Sequence, residues 1–377
     1  MRSGLRTCGA PSSTNISWRT RNTRRPRRSR ACARICARSR PTRRMRRSNG
    51  AAPVTASRRP RFGLRAVFGV AALLWVSLAL ADDATGWLQQ AAAAAKQLNY
   101  SGTLVYQHDG RVETSRVIHM VDTTGEHEKL VNLDGPAREV IRNNEQVRCY
   151  YPDAKIIRIE PRTYRNAFPS LLPQQLDTLA AYYFFRKAEI ARIAGLETQA
   201  YVFEPKDGMR YGHKLWADLT SGLLLKAQLM NDRNVPIEQF VFTDIQIGIK
   251  IERDTVRPSF RPPPVDWEMR ESLPGDVVQQ DTGWLVKELP PGFSKIVEGY
   301  RTLRGKVAPV AHLVFSDGLV AVSVFVEPMP QAPQLIGLSQ QGGINVYSRQ
   351  LNDHLVTVLG ETPGATVRQI AYSVAHR

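Results

Sequence analysis

Past residue 100, turn-forming pairs break the chain at short, regular intervals. Asp109-Gly110, Thr124-Gly125, Asp134-Gly135, Asn143-Asn144 and Pro152-Asp153 recur every 9 to 15 residues. That is the rhythm of an antiparallel meander. Between the turns polar and apolar residues often alternate, as in Ser101-Gly-Thr-Leu-Val-Tyr-Gln107, so one face of the sheet is covered and the other polar or solvated. After an interruption the pattern resumes with expected strands at Gln199–Phe203, Tyr211–Ala217, Leu223–Met230 and Glu238–Ile247. Only Lys226 is charged within Leu223–Met230, so that strand is expected to be well buried.

Two helices are expected in this first part. In Thr85–Leu98, Trp87, Ala91, Ala94, Ala95 and Leu98 share one face at helical spacing. Within Pro169–Arg186, Leu172, Leu176, Leu179 and Tyr183 form a second stripe, with Pro173 at the first helical position and the aromatic run Tyr182-Tyr-Phe-Phe185 at the end. A curved sheet covered by such helices can hold an elongated apolar ligand. The same stripe is equally readable as ordinary core.

Arg257–Gly275 carries Pro258 and Pro262-Pro-Pro264, which favour extended polyproline geometry, and reads as a linker over 257–275. It divides a domain over 82–256 from a smaller one over 276–377. The second domain is expected to have strands at Trp284-Leu-Val, Ala311–Phe315, Leu319–Glu327, Ile344–Gln350 and Asp353–Leu359. Asp317-Gly318 marks a hairpin, and a last helix is expected to start with Thr362 as N-cap and Pro363 at the first helical position. Val367, Ile370, Ala371 and Val374 share its apolar face. The fold class is therefore α+β and β-rich, with two domains.

Charge is distributed unevenly. The chain of 377 residues has 52 Lys+Arg against 34 Asp+Glu, a formal net charge of +18. Twenty of the Arg, and none of the acidic residues, precede Asp82, leaving 32 basic and 34 acidic residues beyond it. The basicity thus belongs to the leader, and a polyanion partner for the remainder is not indicated. Ala66–Ala81 is an uncharged run preceded by Arg58, Arg59, Arg61 and Arg65 and ending Ala79-Leu80-Ala81. Residues 58–81 read as a signal peptide cleaved after Ala81. For the Arg-, Ser- and Pro-rich stretch 1–57 two readings stay open: a basic disordered leader, or sequence upstream of a true start such as Met45. Cys149, in the strand-like run VRCYY, reads as a buried structural residue.

Signatures of catalysis are missing from the sequence. It has no G-x-S-x-G, H-E-x-x-H, G-x-x-x-x-G-K-[ST] or G-x-G-x-x-G string. No two histidines have metal-ligand spacing. His119 and His127 could meet across a hairpin, a placement better explained as paired strand histidines. Asp109, Asp134 and Asp207 precede glycines and are explained as turn caps. No catalytic residue, metal ligand or cofactor is expected, and no enzyme.

Several strings carry a resemblance. LNYSGTLVY (98–106), LDGPAREVIR (133–142), FPSLL (168–172) and RIAGLETQAYVFEPKDGMRYGHKLW (192–216) resemble the amino-terminal domain of the MucB/RseB family. WLVKELPPGFSKI (284–296) and SDGLVAVSVFVE (316–327) resemble its smaller carboxy-terminal domain. The resemblance covers 82–377, and its strings are structural. It implies a large domain similar to the lipoprotein carrier LolA, a half-open antiparallel barrel with covering helices, followed by a small α+β domain. It implies a periplasmic regulator that binds the periplasmic part of a membrane-anchored MucA/RseA-type anti-sigma factor. Such a regulator protects the anti-sigma factor from site-1 proteolysis, restrains the envelope-stress sigma factor, and is released by lipid or lipopolysaccharide-like components. A homo-oligomer is allowed for. On this reading Leu104, Tyr106, Leu172, Leu176, Leu179 and Tyr183 are candidates to line a lipid cavity. Trp284 and Phe293, beside the Pro290-Pro-Gly292 turn, are candidate partner anchors if exposed, and are equally readable as local core of the small domain. A LolA-like carrier of lipids or lipoproteins is the alternative, against which the second domain argues. Amino-terminal sequencing of the exported protein is expected to begin Asp82-Asp83-Ala84; a first residue upstream of Ala81 would overturn the cleavage assignment.

Overall fold

In the computed structural model the described residues are 86–377, apart from 145, 162–166, 174–176, 261–263, 272–276, 304–307 and 331–333. The leader, the signal segment and the candidate Leu176 lie outside them. The chain enters through α1 (86–97), whose buried Leu88, Ala91, Ala94 and Ala95 give it one apolar face. Small alanines let the helix lie close to the sheet, and Trp87 stacks on Tyr201 with ring centroids 3.8 Å apart.

The meander follows as β1 (Tyr100–His108), β2 (Arg111–Asp122), β3 (Gly125–Asn132), β4 (Glu139–Arg142), β5 (Gln146–Tyr151) and β6 (Ile156–Pro161). After α2 (Asp177–Tyr182) a second meander runs through β7 (Tyr183–Ile193), β8 (Leu196–Pro205), β9 (Gly212–Asp218), β10 (Leu224–Met230) and β11 (Pro236–Ile247). Then comes the short β12 (Glu268–Glu271). All twelve form one sheet in the order β12-β6-β5-β4-β3-β2-β1-β11-β10-β9-β8-β7. Antiparallel pairing of β1 with β11 joins the two meanders, with a register shift between Thr103 and Leu104. Buried residues from β1 to β6, from β7 to β11, from α1 and from 168–179 belong to one core cluster. The sheet therefore wraps around a shared interior while keeping two edges, β12 and β7, as a half-open barrel does.

The expected helix over 169–186 is the main correction. Helix is confined to Asp177–Tyr182, and Tyr183 already starts an eleven-residue strand. Aromatic residues favour a pleated surface, and β8 offers a partner through a tight turn in which Ala194 and Gly195 both have positive φ. Phe185 lies opposite Phe203, with the two rings edge-to-face at 4.8 Å. Tertiary pairing thus overrides the helical stripe, although Leu172, Leu179 and Tyr183 all remain in the core.

The proline-rich segment is partly docked rather than free-standing. Phe260 and Trp267 pack on Ile141, Tyr150 and Ile157, which face away from the main core. Lys129 Nζ donates to the Arg257 carbonyl and to Ser259 Oγ, both at 2.9 Å, while Ser259 N–H donates to Glu139 Oε1 at 2.8 Å. β12 then adds to β6 in parallel.

The second sheet holds β13 (Val277–Gln279), β15 (Ser294–Arg301), β16 (Val310–Ser316), β17 (Ala321–Pro328), β18 (Gly337–Gln341), β19 (Ile344–Leu351) and β20 (His354–Gly360), in the order β13-β15-β16-β17-β20-β19-β18. β14 (Trp284–Val286) pairs separately with the terminal β21 (Val374–His376). Between β20 and β21, α3 (Gly364–Ser373) buries Val367, Ile370 and Ala371 against the sheet. Its N-cap is Pro363, one residue later than expected, so Thr362 does not cap it.

At Gly102 β1 and β11 leave no room for a side chain: a Cβ there would collide with the Asp244 carbonyl oxygen. Gly102→Ala is expected to lower stability by about 1–3 kcal/mol, as overpacking does, read by denaturant unfolding of the purified chain. An unchanged midpoint would refute this close approach.

Candidate functional site at the domain junction

Between β8 and β9 the chain makes a turn at Asp207-Gly208 and then places Arg210 inside the protein, 3% exposed. Four of its five N–H groups donate to acceptors within the protein. Nε and Nη2 donate to the two oxygens of Asp207, each at 3.1 Å, and Nη1 donates to Asp317 Oδ2 at 2.6 Å. Nη2 also donates to the Pro291 carbonyl at 2.6 Å. Three rings surround it, with centroids at 5.0 Å for Tyr182, 5.6 Å for Tyr183 and 5.2 Å for Phe293.

The partners come from both domains. Tyr182, Tyr183 and Asp207 belong to the large one; Pro291, Phe293 and Asp317 belong to the small one. Asp317 sits in the β16–β17 hairpin. Its Oδ1 accepts from Leu319 N–H at 3.0 Å and Val320 N–H at 2.9 Å, and its Oδ2 also accepts from the Tyr183 hydroxyl at 3.2 Å. Both the Arg210 and Asp317 side chains are fully buried. Burial works against the Arg210 charge, yet Asp207 and Asp317 outweigh it and hold the guanidinium pKa above its ordinary value.

Further contacts extend the junction. Gly292, at φ +82, lies flat against the Tyr182 ring, which a Cβ would strike. Asn345 Nδ2 donates to Tyr211 Oη at 3.0 Å, and Thr366 Oγ1 donates to the Met209 carbonyl at 2.9 Å. The tip of the β18–β19 hairpin reaches β11, where Gly343 N–H donates to the buried Glu238 at 3.0 Å. Pro173 and Leu179, from the segment that covers the large domain's interior, lie within van der Waals reach of a Cβ at Gly318.

The sequence candidates fall on both sides of this junction. Leu104 and Tyr106 on β1, with Leu172, Leu179 and Tyr183, are each 2% exposed or less and share one core. Tyr106 stacks on Phe240 at 4.3 Å, and Phe168 of the covering segment lies over Phe240 at 5.5 Å and Phe242 at 5.4 Å. Trp284 and Phe293, the candidate partner anchors, are only 6% and 7% exposed. β21 folds back beside Trp284, whose ring meets His354 and His376 edge-on at 5.0 and 4.9 Å, and Arg210 closes over Phe293. His119 and His127 do not meet. His119 is buried, with Nδ1 2.8 Å from the Leu98 carbonyl and Nε2 3.2 Å from Glu126, while His127 lies opposite Met120. Asp207 does cap its turn, through Met209 N–H at 3.0 Å, but it also grips Arg210. Arg210 and Asp317 were not legible as a pair, because 107 positions separate them and nothing local signals the contact.

Residues 83–260 match the MucB/RseB N-terminal domain, and residues 278–375 match the MucB/RseB C-terminal domain. The chain belongs to the MucB/RseB family. It is 30% identical over 318 residues to the sigma factor AlgU regulatory protein MucB of Pseudomonas aeruginosa, covering 81% of this chain and 95% of that one. It is 26% identical over 318 residues to the sigma-E factor regulatory protein RseB of Escherichia coli K12, covering 83% and 96%. A solved complex of MucA and MucB from Pseudomonas aeruginosa superposes with a TM-score of 0.62 at 30% identity, covering 78% of this chain and 99% of that chain. A crystal structure of MucB gives 0.56 at 27% identity, covering 78% and 98%.

Breaking a buried ion pair from one side strands the other charge. Arg210→Met is therefore expected to cost about 3–5 kcal/mol, and Asp317→Asn a comparable amount. In a double-mutant cycle by chemical denaturation the two are expected to be strongly non-additive. Simple additivity would show that the contact does not hold the domains together.

Proposed function

We propose that this chain is a periplasmic regulator. It binds the periplasmic domain of a membrane-anchored anti-sigma factor, shields it from the site-1 protease, and so restrains an envelope-stress sigma factor. The observation that carries this reading is membership of the MucB/RseB family over both domains, together with the solved MucA–MucB complex of a relative. Export behind a signal peptide cleaved after Ala81 fits the same reading.

The junction suggests how such binding responds to lipid. Leu172, Leu179 and Tyr183 cover the interior of the large domain, and Leu176 belongs to the same proposed lining. Tyr183 also reaches Asp317 of the small domain. An acyl chain entering the interior past Leu104 and Tyr106 displaces this cover, and so loosens the hold on Asp317 and Arg210. The two domains then change orientation, which weakens a partner that contacts both. Phe293 becomes available as an anchor only as Arg210 withdraws, and Trp284 lies in the core of the same small domain. By linkage, a bound anti-sigma factor weakens lipid binding by the same factor, and tenfold release needs only about 1.4 kcal/mol of coupling.

With the full chain present, cleavage of the anti-sigma periplasmic domain by the site-1 protease is expected to slow at least tenfold. Added lipopolysaccharide is expected to restore the rate. Protection that persists at saturating lipid, or lipid and anti-sigma factor binding independently in a titration, would overturn the coupling. Absence of protection would overturn the regulator reading itself.

A further inference from the structure

The edges of the two sheets are not defended alike. An unpaired strand edge exposes backbone N–H and C=O groups, and proteins blunt such edges with charge, bulges or brevity. β7, at one end of the large sheet, carries Arg186, Lys187, Glu189 and Arg192 and a register shift between Lys187 and Ile190. β12, at the other end, has four residues, three of them charged. β13 is three residues long. β18 differs from all of them. Its sequence Gly337-Leu-Ser-Gln-Gln341 has no charge and no proline, its pairing with β19 runs without a break, and the described residues supply no second neighbour. Apolar side chains crowd the same edge: Leu335 is 86% exposed, Ile336 55%, Leu338 58% and, from α3, Tyr372 62%.

We propose that β18 takes an added strand: an extended, uncharged, apolar segment of the anti-sigma partner. This rests on the regulator reading above and names where that partner docks. Strand addition draws affinity from main-chain hydrogen bonds and specificity from alternate side chains. An uncharged edge beside exposed Leu and Ile accepts an uncharged apolar strand. A second copy of this chain is the weaker occupant. A five-residue strand is about 17 Å long and pairs only a fraction of the roughly 1,200–2,000 Å² that a stable interface buries. A segment of a partner that also binds elsewhere has no such requirement. The place is apt, because the β18–β19 tip rests on Glu238 of the large domain through Gly343. A segment that continues past this tip is placed to meet the large domain as well as the small one.

The test uses the full chain and the purified periplasmic domain of the anti-sigma factor. Hydrogen exchange of the Gly337–Gln341 amides is expected to slow at least tenfold on complex formation. Leu335→Lys and Leu338→Lys are expected to weaken binding at least tenfold with unchanged thermal unfolding. Ile190→Lys, on the defended β7 edge, is expected to leave affinity unchanged. Binding with unaltered exchange at 337–341 would overturn the proposal while leaving the regulator reading intact, whereas no binding at all would overturn both. Protection that appears on raising the chain's own concentration, without partner, would assign the edge to a second copy and overturn the proposed occupant.

Discussion

A guanidinium keeps its charge and cannot be buried without partners, and Arg210 has them from two domains at once. Asp207 takes two of its N–H groups, Asp317 and the Pro291 carbonyl take two more, and three aromatic rings close the remaining faces. Pulling the domains apart would leave Arg210 short of two acceptors and Asp317 short of its cation. The cost of that unpaired state is several kcal/mol per ion unless water floods in. The arrangement is therefore either closed and dry or open and wet, with little between. This is the kind of element that can hold two global states, and Tyr182 against Gly292 and Glu238 against Gly343 are further contacts across the same junction.

Asp317 does three jobs with two oxygens. It caps its own hairpin, pairs with Arg210, and accepts from Tyr183. The last contact matters because Tyr183 is also part of the large domain's core, beside Leu179 and Phe203. What fills or empties the large domain's interior is thus one side chain away from what orients the small domain. In the proposed regulator, lipid entry and domain orientation are linked through Tyr183.

Much of the architecture was legible in the sequence. Turn pairs at 109–110, 124–125 and 134–135 and the alternation in β1 are local signals, and they announce the meander directly. The buried run Leu223–Met230 and the apolar face of α3 were readable for the same reason. The helix over 169–186 misled because its stripe, Leu172-Leu176-Leu179-Tyr183, is a local pattern. Only pairing with β8, supplied by residues further along the chain, makes Tyr183 a strand residue. The site was least legible. Asp207-Gly208 and Asp317-Gly318 read as turns, which they are, and nothing local reveals that one arginine ties both turns together. The aromatics at 284 and 293 were noticed, but their burial depends on β21 and on Arg210, both distant in sequence.

The most direct measurement is the distance between the domains as lipid is added. Spin labels at the exposed positions Val112 of the large domain and Ile296 of the small one report it without touching the junction. Saturating lipid is expected to shift the distance distribution in the wild-type chain, and Asp317→Asn, without lipid, is expected to populate the shifted distribution already. A distribution unmoved by lipid, under conditions in which the anti-sigma factor is released, would contradict this linkage.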